Sequence, residues 1–125
     1  MAYSRTDSHD DELRMYIVVN NSVKMDKGKI AAQVGHAVMM ATEYMIQIDD
    51  HLYRKYKQGG MTKIVLKADK ETIDDLEARF TNIFVVRDAG RTQIAAGTLT
   101  AIAFLPMTEN QRDGRYGTLS KLKLL

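Results

Sequence analysis

Residues 87–98 gather the side chains that are best suited to chemistry. The segment reads Arg-Asp-Ala-Gly-Arg-Thr-Gln-Ile-Ala-Ala-Gly-Thr and lies between two apolar runs, 83–86 and 99–105, that are typical of strands. A carboxylate, two guanidinium groups and two hydroxyls therefore stand on one glycine-punctuated loop beside a rigid sheet. Groups of these types can orient a water molecule and stabilise a developing negative charge.

A second segment, residues 24–37, combines lysines with a helical pattern. Apolar residues recur at spacings of three and four, which predicts a buried helix face made of Ile30, Val34, Ala37, Val38, Ala41 and Met45. Lys29, Gln33 and His36 share another stripe of this helix, because they lie at i, i+4 and i+7. The positive end of a helix favours an anion, so we expect a phosphate to bind there among the lysines.

Hydrophobic periodicity predicts the other elements. Strands are expected at about 15–20, 61–67, 83–87 and 99–105, helices at about 28–46 and 70–80, and a helical or loop segment at about 48–58. Pro106 is expected to open a short final helix, since proline is tolerated at the first helical position. Strands separated by helices indicate an α/β domain, and the direction of the last two strands stays open.

Length and composition favour one globular domain. The chain has 125 residues, 45% of them hydrophobic, and no cysteine, which excludes disulfides, thiolate nucleophiles and cysteine-based zinc sites. No apolar run approaches the roughly 20 residues that cross a bilayer, and the N-terminus lacks a signal peptide, so we expect a soluble, cytoplasmic protein. We expect an acidic, disordered tail over residues 1–13 and a single domain over 14–125. This domain is mildly basic, which suits brief contact with RNA.

Residues 28–37 and 88–94 closely resemble two motifs of the type 2 peptidyl-tRNA hydrolases. The family carries Gly-Lys-Ile-Ala-Ala-Gln-x-x-His-Ala at a helix start and Asp-Ala-Gly-Arg-Thr-Gln-Ile in a later loop, and this chain has both in that order. The final Lys-Leu-Lys-Leu-Leu is also similar to the ending of the family. The resemblance implies a three-layer α/β/α domain with a mixed, roughly four-stranded sheet.

The resemblance also implies a reaction, the hydrolysis of the ester between peptide and tRNA in peptidyl-tRNA, which recycles tRNA from stalled translation. The implied catalytic residues are Lys29, Asp88 and Thr92. Asp88 would accept or orient the proton of a water that Thr92 holds, and Lys29 would stabilise the oxyanion or clasp the terminal phosphate. Contacts with the acceptor end of the substrate are expected from Lys24, Lys27, Gln33, His36, Arg91, Thr98 and Thr100. A homodimer is implied as well.

The sequence contains no motif for a metal-dependent or a covalent mechanism. His9, His36 and His51 are widely separated and form no His-x-x-x-His pair. No Gly-x-Ser-x-Gly turn is present. We therefore expect no cofactor, no metal and a direct attack by water without a covalent intermediate.

Each of these residues also has a structural interpretation. Asp88 can cap a turn through its side chain, and the lysines of residues 24–29 can form a solvated face. His36 can be a half-buried packing residue, and Gln33 can satisfy backbone carbonyls. These alternatives stay open at the level of the sequence.

Departures from the family pattern keep a second function open. Asn20, Asn21 and Ser22 stand where members usually have Arg-Ser/Thr-Asp, Asp26 stands in place of Gly, and Ala96 stands in place of Pro. A negative charge among lysines meant for phosphate would weaken RNA binding. The alternative is a non-catalytic RNA- or protein-binding module on the same fold.

Overall fold

The computed structural model describes residues 11–91 and 93–125. In these residues the elements are β1 Arg14–Asn20, α1 Lys27–Ile48, α2 Asp50–Gln58, β2 Thr62–Ala68, α3 Lys70–Arg79, β3 Ile83–Arg87, β4 Leu99–Phe104, α4 Glu109–Gly114 and β5 Lys123–Leu124. A short 3-10 helix, Gly117–Lys121, precedes β5. Thr92 lies outside the described residues, and so do residues 1–10 of the predicted tail.

A mixed sheet holds these strands in the order β3-β4-β1-β2-β5. β1 and β2 run parallel, β4 is antiparallel to both β1 and β3, and β5 is antiparallel to β2. Side chains of α1 and α2 pack on one face of the sheet, and those of α3 and of the segment around Leu119 pack on the other. The structure thus confirms the predicted α/β class with helices on both faces.

The alternation of β1 explains why both faces are covered. Tyr16 and Val18 pack against α3, whereas Met15 and Ile17 pack against α1. All four side chains are buried, as expected for a central strand whose two faces are both apolar. β1 is therefore the rigid element from which the neighbouring loops start.

The C-terminal end of the chain corrects two expectations. The sheet has a fifth strand, because β5 pairs Leu66 with Leu124 and Lys67 with Lys123. A strand of two residues is too short to show a periodic pattern in the sequence. The final helix begins at Glu109 instead of Pro106, since Thr108 caps it.

The cap at Thr108 is a reciprocal one. The N–H of Gln111 donates to the Thr108 hydroxyl at 3.2 Å, and the N–H of Thr108 donates to the Gln111 side chain at 2.8 Å. This capping box satisfies backbone donors that a proline start would have left to the solvent. It determines where the helix starts.

Two further boundaries shift by one or two residues. β2 begins at Thr62 because Met61, with φ 54°, belongs to the preceding turn. Two residues of the predicted tail contact the domain. The Glu12 carboxylate accepts a hydrogen bond from the Thr62 hydroxyl at 2.9 Å, and Leu13 packs against the α1 side of the core. These two residues therefore belong with the domain. Within the described ranges, no helix combines the length and apolar character that a membrane span requires.

Candidate active site

Three strand termini bring the two sequence motifs to the same edge of the sheet. β1 ends at Asn20 and β3 ends at Arg87, and the antiparallel β4 begins beside both at Leu99. The loop after β1 leads into α1, and residues 88–98 connect β3 to β4. Side chains from α1 and from this long loop therefore converge on one edge.

Lys29 and Asp88 form an ion pair at this edge. The Lys29 Nζ lies 2.5 Å from the Asp88 Oδ1. The Asp88 side chain is only 1% exposed, whereas that of Lys29 is 23% exposed. The carboxylate is thus buried, and the ammonium group is the part of the pair that solvent reaches.

The backbone around Asp88 fixes the position of its side chain. The Asp88 N–H donates to the Thr98 carbonyl at 2.8 Å, and the Gly97 N–H donates to the Asp88 carbonyl at 2.8 Å. Its Oδ2 accepts from the Gly90 N–H at 2.7 Å. This last contact is the turn cap that the sequence offered as an alternative to a site role. Asp88 makes it with one oxygen and faces Lys29 with the other, so the two roles are compatible.

Gly90 holds this turn in a conformation that a larger residue would strain. It has φ +80°, and an added Cβ would lie 2.7 Å from the Ala96 Cβ. We expect Gly90→Ala to lower the free energy of unfolding by about 2–4 kcal/mol, through backbone strain and overpacking together. Denaturant unfolding measures this difference.

Gly97 provides the matched control for this prediction. It has φ +85° but nothing within 4 Å of an added Cβ, so Gly97→Ala is expected to cost only about 1 kcal/mol. The double variant Gly90→Ala/Ala96→Gly should recover the steric part of the loss. Equal losses for Gly90→Ala and Gly97→Ala would contradict the close approach of Gly90 and Ala96.

A β-bulge directs Thr100 towards α1. Val86 pairs with Ala101 and Arg87 pairs with Leu99, which leaves Thr100 as the extra residue on β4. Leu99 and Ala101 consequently pack on opposite faces of the sheet, although they lie two positions apart. The bulge re-aims the Thr100 side chain at this edge.

Gln33 and Thr100 form a buried hydrogen-bonded pair. The Gln33 Nε2 donates to the Thr100 hydroxyl at 2.8 Å, and that hydroxyl lies 3.3 Å from the Val86 carbonyl, to which it donates. Thr100 is fully buried and Gln33 is nearly so. In this arrangement Gln33 contacts a side chain and not a backbone carbonyl, and a direct contact of either residue with the substrate stays a prediction.

Asn20 is a residue to which sequence reasoning assigned no role. It is 3% exposed, and its Nδ2 donates to the Leu99 carbonyl at 2.9 Å while its Oδ1 accepts from the Ser22 N–H at 3.0 Å. The amide thus joins the end of β1 to the start of β4, beyond the last paired residues of the two strands. A polar residue directly after the apolar run of residues 15–19 was the available signal.

Asp26, another departure from the family pattern, is the N-cap of α1. Its Oδ1 accepts from the Lys29 backbone N–H at 2.9 Å. The presence of aspartate at this position therefore has a structural explanation, because aspartate is among the best N-caps. A carboxylate already occupies the helix terminus where the sequence suggested a phosphate, and it opposes a second anion there.

The remaining predicted contact residues lie at or near the surface. Lys24, Lys27, His36 and Arg91 are exposed, so His36 is not a packing residue, and Thr98 is half-buried. Their contacts with a substrate stay predictions. Among the residues that the structure describes, no three His, Asp or Glu side chains are grouped so as to hold a metal ion.

Comparisons with known proteins agree on one family. A family model described as "Peptidyl-tRNA hydrolase PTH2" matches residues 13–125. A peptidyl-tRNA hydrolase of Haloquadratum walsbyi is 39% identical over 113 residues, which cover 86% of this chain and 98% of the relative. The human protein named "Peptidyl-tRNA hydrolase 2, mitochondrial" is 37% identical over 100 residues, or 76% of this chain.

The length of the match differs between relatives. A probable peptidyl-tRNA hydrolase 2 of Drosophila melanogaster is 35% identical over 118 residues, which cover 90% of this chain but 63% of the fly protein. The match covers 56% of the human protein. The chain thus corresponds to almost the whole archaeal relative and to little more than half of the two animal relatives.

Proposed function

Since this chain belongs to the type 2 peptidyl-tRNA hydrolase family, we propose that its reaction, hydrolysis of the ester between peptide and tRNA, takes place at the pair of Lys29 and Asp88. The observation that supports this location is the 2.5 Å contact between their side chains. It joins the two segments of the chain that resemble the family motifs, across a gap of almost 60 residues in the sequence. Both ends of the contact are charged groups of the kind that ester hydrolysis needs.

The chemistry begins with a water molecule beside Asp88. The water oxygen bonds to the ester carbonyl carbon, and the proton that it releases passes to the Asp88 carboxylate. The carbonyl oxygen becomes an oxyanion, which the Lys29 ammonium stabilises. The bond from the carbonyl carbon to the ribose oxygen then breaks, and that oxygen takes the proton from Asp88. The products are a tRNA with a free terminal hydroxyl and a peptide carboxylic acid, which releases its remaining proton to the solvent and becomes a carboxylate.

The different exposure of the two side chains assigns them different tasks. Lys29 is the more exposed group and meets the substrate first, whereas Asp88 is buried beside it. Asp88 therefore has two functions in this proposal. It holds the Lys29 ammonium in place, and it accepts a proton from a water that the bound substrate encloses. Low exposure strengthens the interaction of both charges with the reacting atoms.

Product analysis tests the proposed reaction. The purified protein is incubated with peptidyl-tRNA, and the products are separated by size and charge. We expect a peptide with a free carboxyl end and an intact tRNA that can be charged again with an amino acid. Cleavage within the RNA or the peptide, or tight binding with no product, would contradict the proposal. The last result would favour the non-catalytic binding module, which the family membership does not support.

The proposal also includes the cellular location and the oligomeric state of the protein. We propose that the protein acts in the cytoplasm as a homodimer and needs no metal or other cofactor. Support for the dimer comes from Met39 and Ile46, which lie two helical turns apart on α1 and are 60% and 49% exposed. Sedimentation velocity at micromolar concentration is expected to show a dimer, and a monomer there would count against it.

A further inference from the structure

A cleft with several lysines lies on the same edge of the sheet as Lys29 and Asp88. It has a volume of about 240 Å³, and the end of β2, the N-terminus of α3 and the chain around β5 form its walls. Its polar lining consists of Asn21, Lys67, Asp69, Thr72, Lys121 and Lys123. We refer to it as the lysine cleft. The proposed mechanism does not use these lysines, although Lys121 and Lys123 belong to the C-terminal segment that is similar to the ending of the family.

The positive charge of the lysine cleft is not compensated within the described residues. Lys67, Lys121 and Lys123 have no carboxylate within 4.0 Å there, in contrast to nearby Lys70, whose Nζ lies 2.6 Å from Asp74. Three cations that have no ion-pair partner within the described residues repel one another, and an anionic ligand relieves this repulsion. The fold thus concentrates charge that it does not itself neutralise.

Asp69, the carboxylate of the lysine cleft, is committed to another partner. Its Oδ1 accepts from the Thr72 N–H at 2.8 Å as the N-cap of α3. These hydrogen bonds from Thr72 lower the pKa of the Asp69 carboxyl, so it remains charged. Counted by formal charge, three lysines and one aspartate still leave the cleft positive.

Residues at the end of β1 connect the lysine cleft to the active site. Asn20 binds the Leu99 carbonyl beside the active-site loop, and its neighbour Asn21 lines the cleft and donates from its N–H to the Ala68 carbonyl at 2.7 Å. β2 lies three strand positions from β3, so the ends of these two strands, which carry Ala68 and Asp88, are roughly 14 Å apart at the usual strand spacing. One extended ligand can therefore reach both.

We propose that the lysine cleft binds the phosphodiester backbone of the acceptor arm of tRNA, a few nucleotides from the ester that Lys29 and Asp88 hydrolyse. This inference rests on the proposed function and adds the part of the substrate that contacts Lys67, Lys121 and Lys123. Lysines act as point charges that hold phosphates without reading bases, which suits an enzyme that must accept many tRNA sequences. Asp26 places a carboxylate at the N-terminus of α1, which disfavours a phosphate there, whereas the lysine cleft has a net positive charge.

Charge-removing variants of the lysine cleft test this inference. Lys121→Gln/Lys123→Gln is compared with Lys55→Gln/Lys57→Gln, which removes two charges from α2, at the opposite end of β2. The KM for peptidyl-tRNA is expected to rise roughly 3–10-fold in the cleft variant, with kcat unchanged. The plot of log kcat/KM against log salt should become shallower by about 1–2.

A minimal substrate separates backbone binding from effects on the active site. An N-blocked aminoacyl-adenosine carries the ester and one nucleoside but no acceptor arm, so the cleft variant should hydrolyse it as fast as the wild type does. Equal behaviour of the cleft and control variants on peptidyl-tRNA would overturn the inference, and so would an equal loss on the minimal substrate. A cleft for an acidic protein would give the first of these results.

A direct measurement of tRNA binding makes this test independent of catalysis. The affinity for deacylated tRNA, titrated at several salt concentrations, is expected to fall in the cleft variant and not in the control. If the wild type hydrolyses peptidyl-tRNA while both variants bind tRNA alike, only the lysine cleft is refuted. If the wild type hydrolyses neither substrate, the proposed function fails, and the binding titration still decides about the cleft.

Discussion

Asp88→Asn is expected to leave the protein folded and to lower the turnover of peptidyl-tRNA by about 10²–10⁴-fold, the scale of one acid–base group. Asparagine keeps an oxygen that can accept from the Gly90 N–H, so the loop after β3 retains the hydrogen bond that it makes to residue 88. The variant loses the negative charge that pairs with Lys29 and the ability to take a proton from water. Asp88→Ala should lose activity to a similar extent, but at a greater cost in stability, because it also leaves the Gly90 N–H without this acceptor.

Steady-state kinetics with far-UV circular dichroism and thermal unfolding test this expectation. Asp49→Asn is the matched control, since Asp49 caps α2 by accepting from the Leu52 N–H at 3.2 Å and asparagine caps equally well. The control should keep both its activity and its fold. Wild-type turnover in a folded Asp88→Asn variant would remove Asp88 from the mechanism.

Lys29→Ala is expected to lower kcat by about 10²–10³-fold, the usual loss when one group that stabilises the oxyanion is removed. The same change leaves the nearly buried Asp88 carboxylate without its ion-pair partner, so the unfolding temperature should fall as well. Lys29→Arg keeps the charge but replaces a compact ammonium by a planar guanidinium, and it should recover only part of the activity.

The division of this loss between kcat and KM identifies what Lys29 touches. Stabilisation of the oxyanion occurs only in the transition state and lowers kcat, whereas a grip on the terminal phosphate contributes to ground-state binding and raises KM. We expect the loss in kcat. A pure KM effect with a shallower salt dependence would move Lys29 from the ester to the phosphate.

Elements with a periodic pattern were predictable from the sequence. The apolar face of α1 is the clearest case, because Ala37, Ala41 and Met45 are all buried, as their spacing predicts. β3 begins with its apolar run and ends one residue after it, at Arg87, as predicted. In α1 burial repeats at helical spacing, and in β3 the apolar run itself marks the strand, so the sequence alone carries the signal.

Features that depend on contacts between distant residues were not predictable. The bulge at Thr100 reverses the alternation of β4 only because β3 pairs with it in that register. The hydrogen bond from the Asn20 side chain to the Leu99 carbonyl joins residues 79 positions apart. β5 forms by pairing with the edge of β2. Asn20 stands out in the chain as a polar residue after an apolar run, but its partner Leu99, the bulge and β5 leave no local pattern.

The site itself was predictable in part. Resemblance to the family singled out Lys29 and Asp88, whereas their contact, and the deep burial of Asp88 alone, required the fold. The alternative interpretation of Asp88 as a turn cap is compatible with the proposed site role, because one oxygen accepts from the Gly90 N–H and the other faces Lys29. The role of Asp26 also required the structure. In the sequence this departure looked harmful to phosphate binding, and in the fold it caps α1.

The most direct test of the central claim counts the tRNA molecules released from peptidyl-tRNA per molecule of protein, with EDTA present, for the wild type and Asp88→Asn side by side. We predict many turnovers for the wild type and a rate about 10²–10⁴-fold lower for the variant. Less than one turnover per wild-type molecule, or equal rates for the two proteins, would contradict hydrolysis at the pair of Lys29 and Asp88.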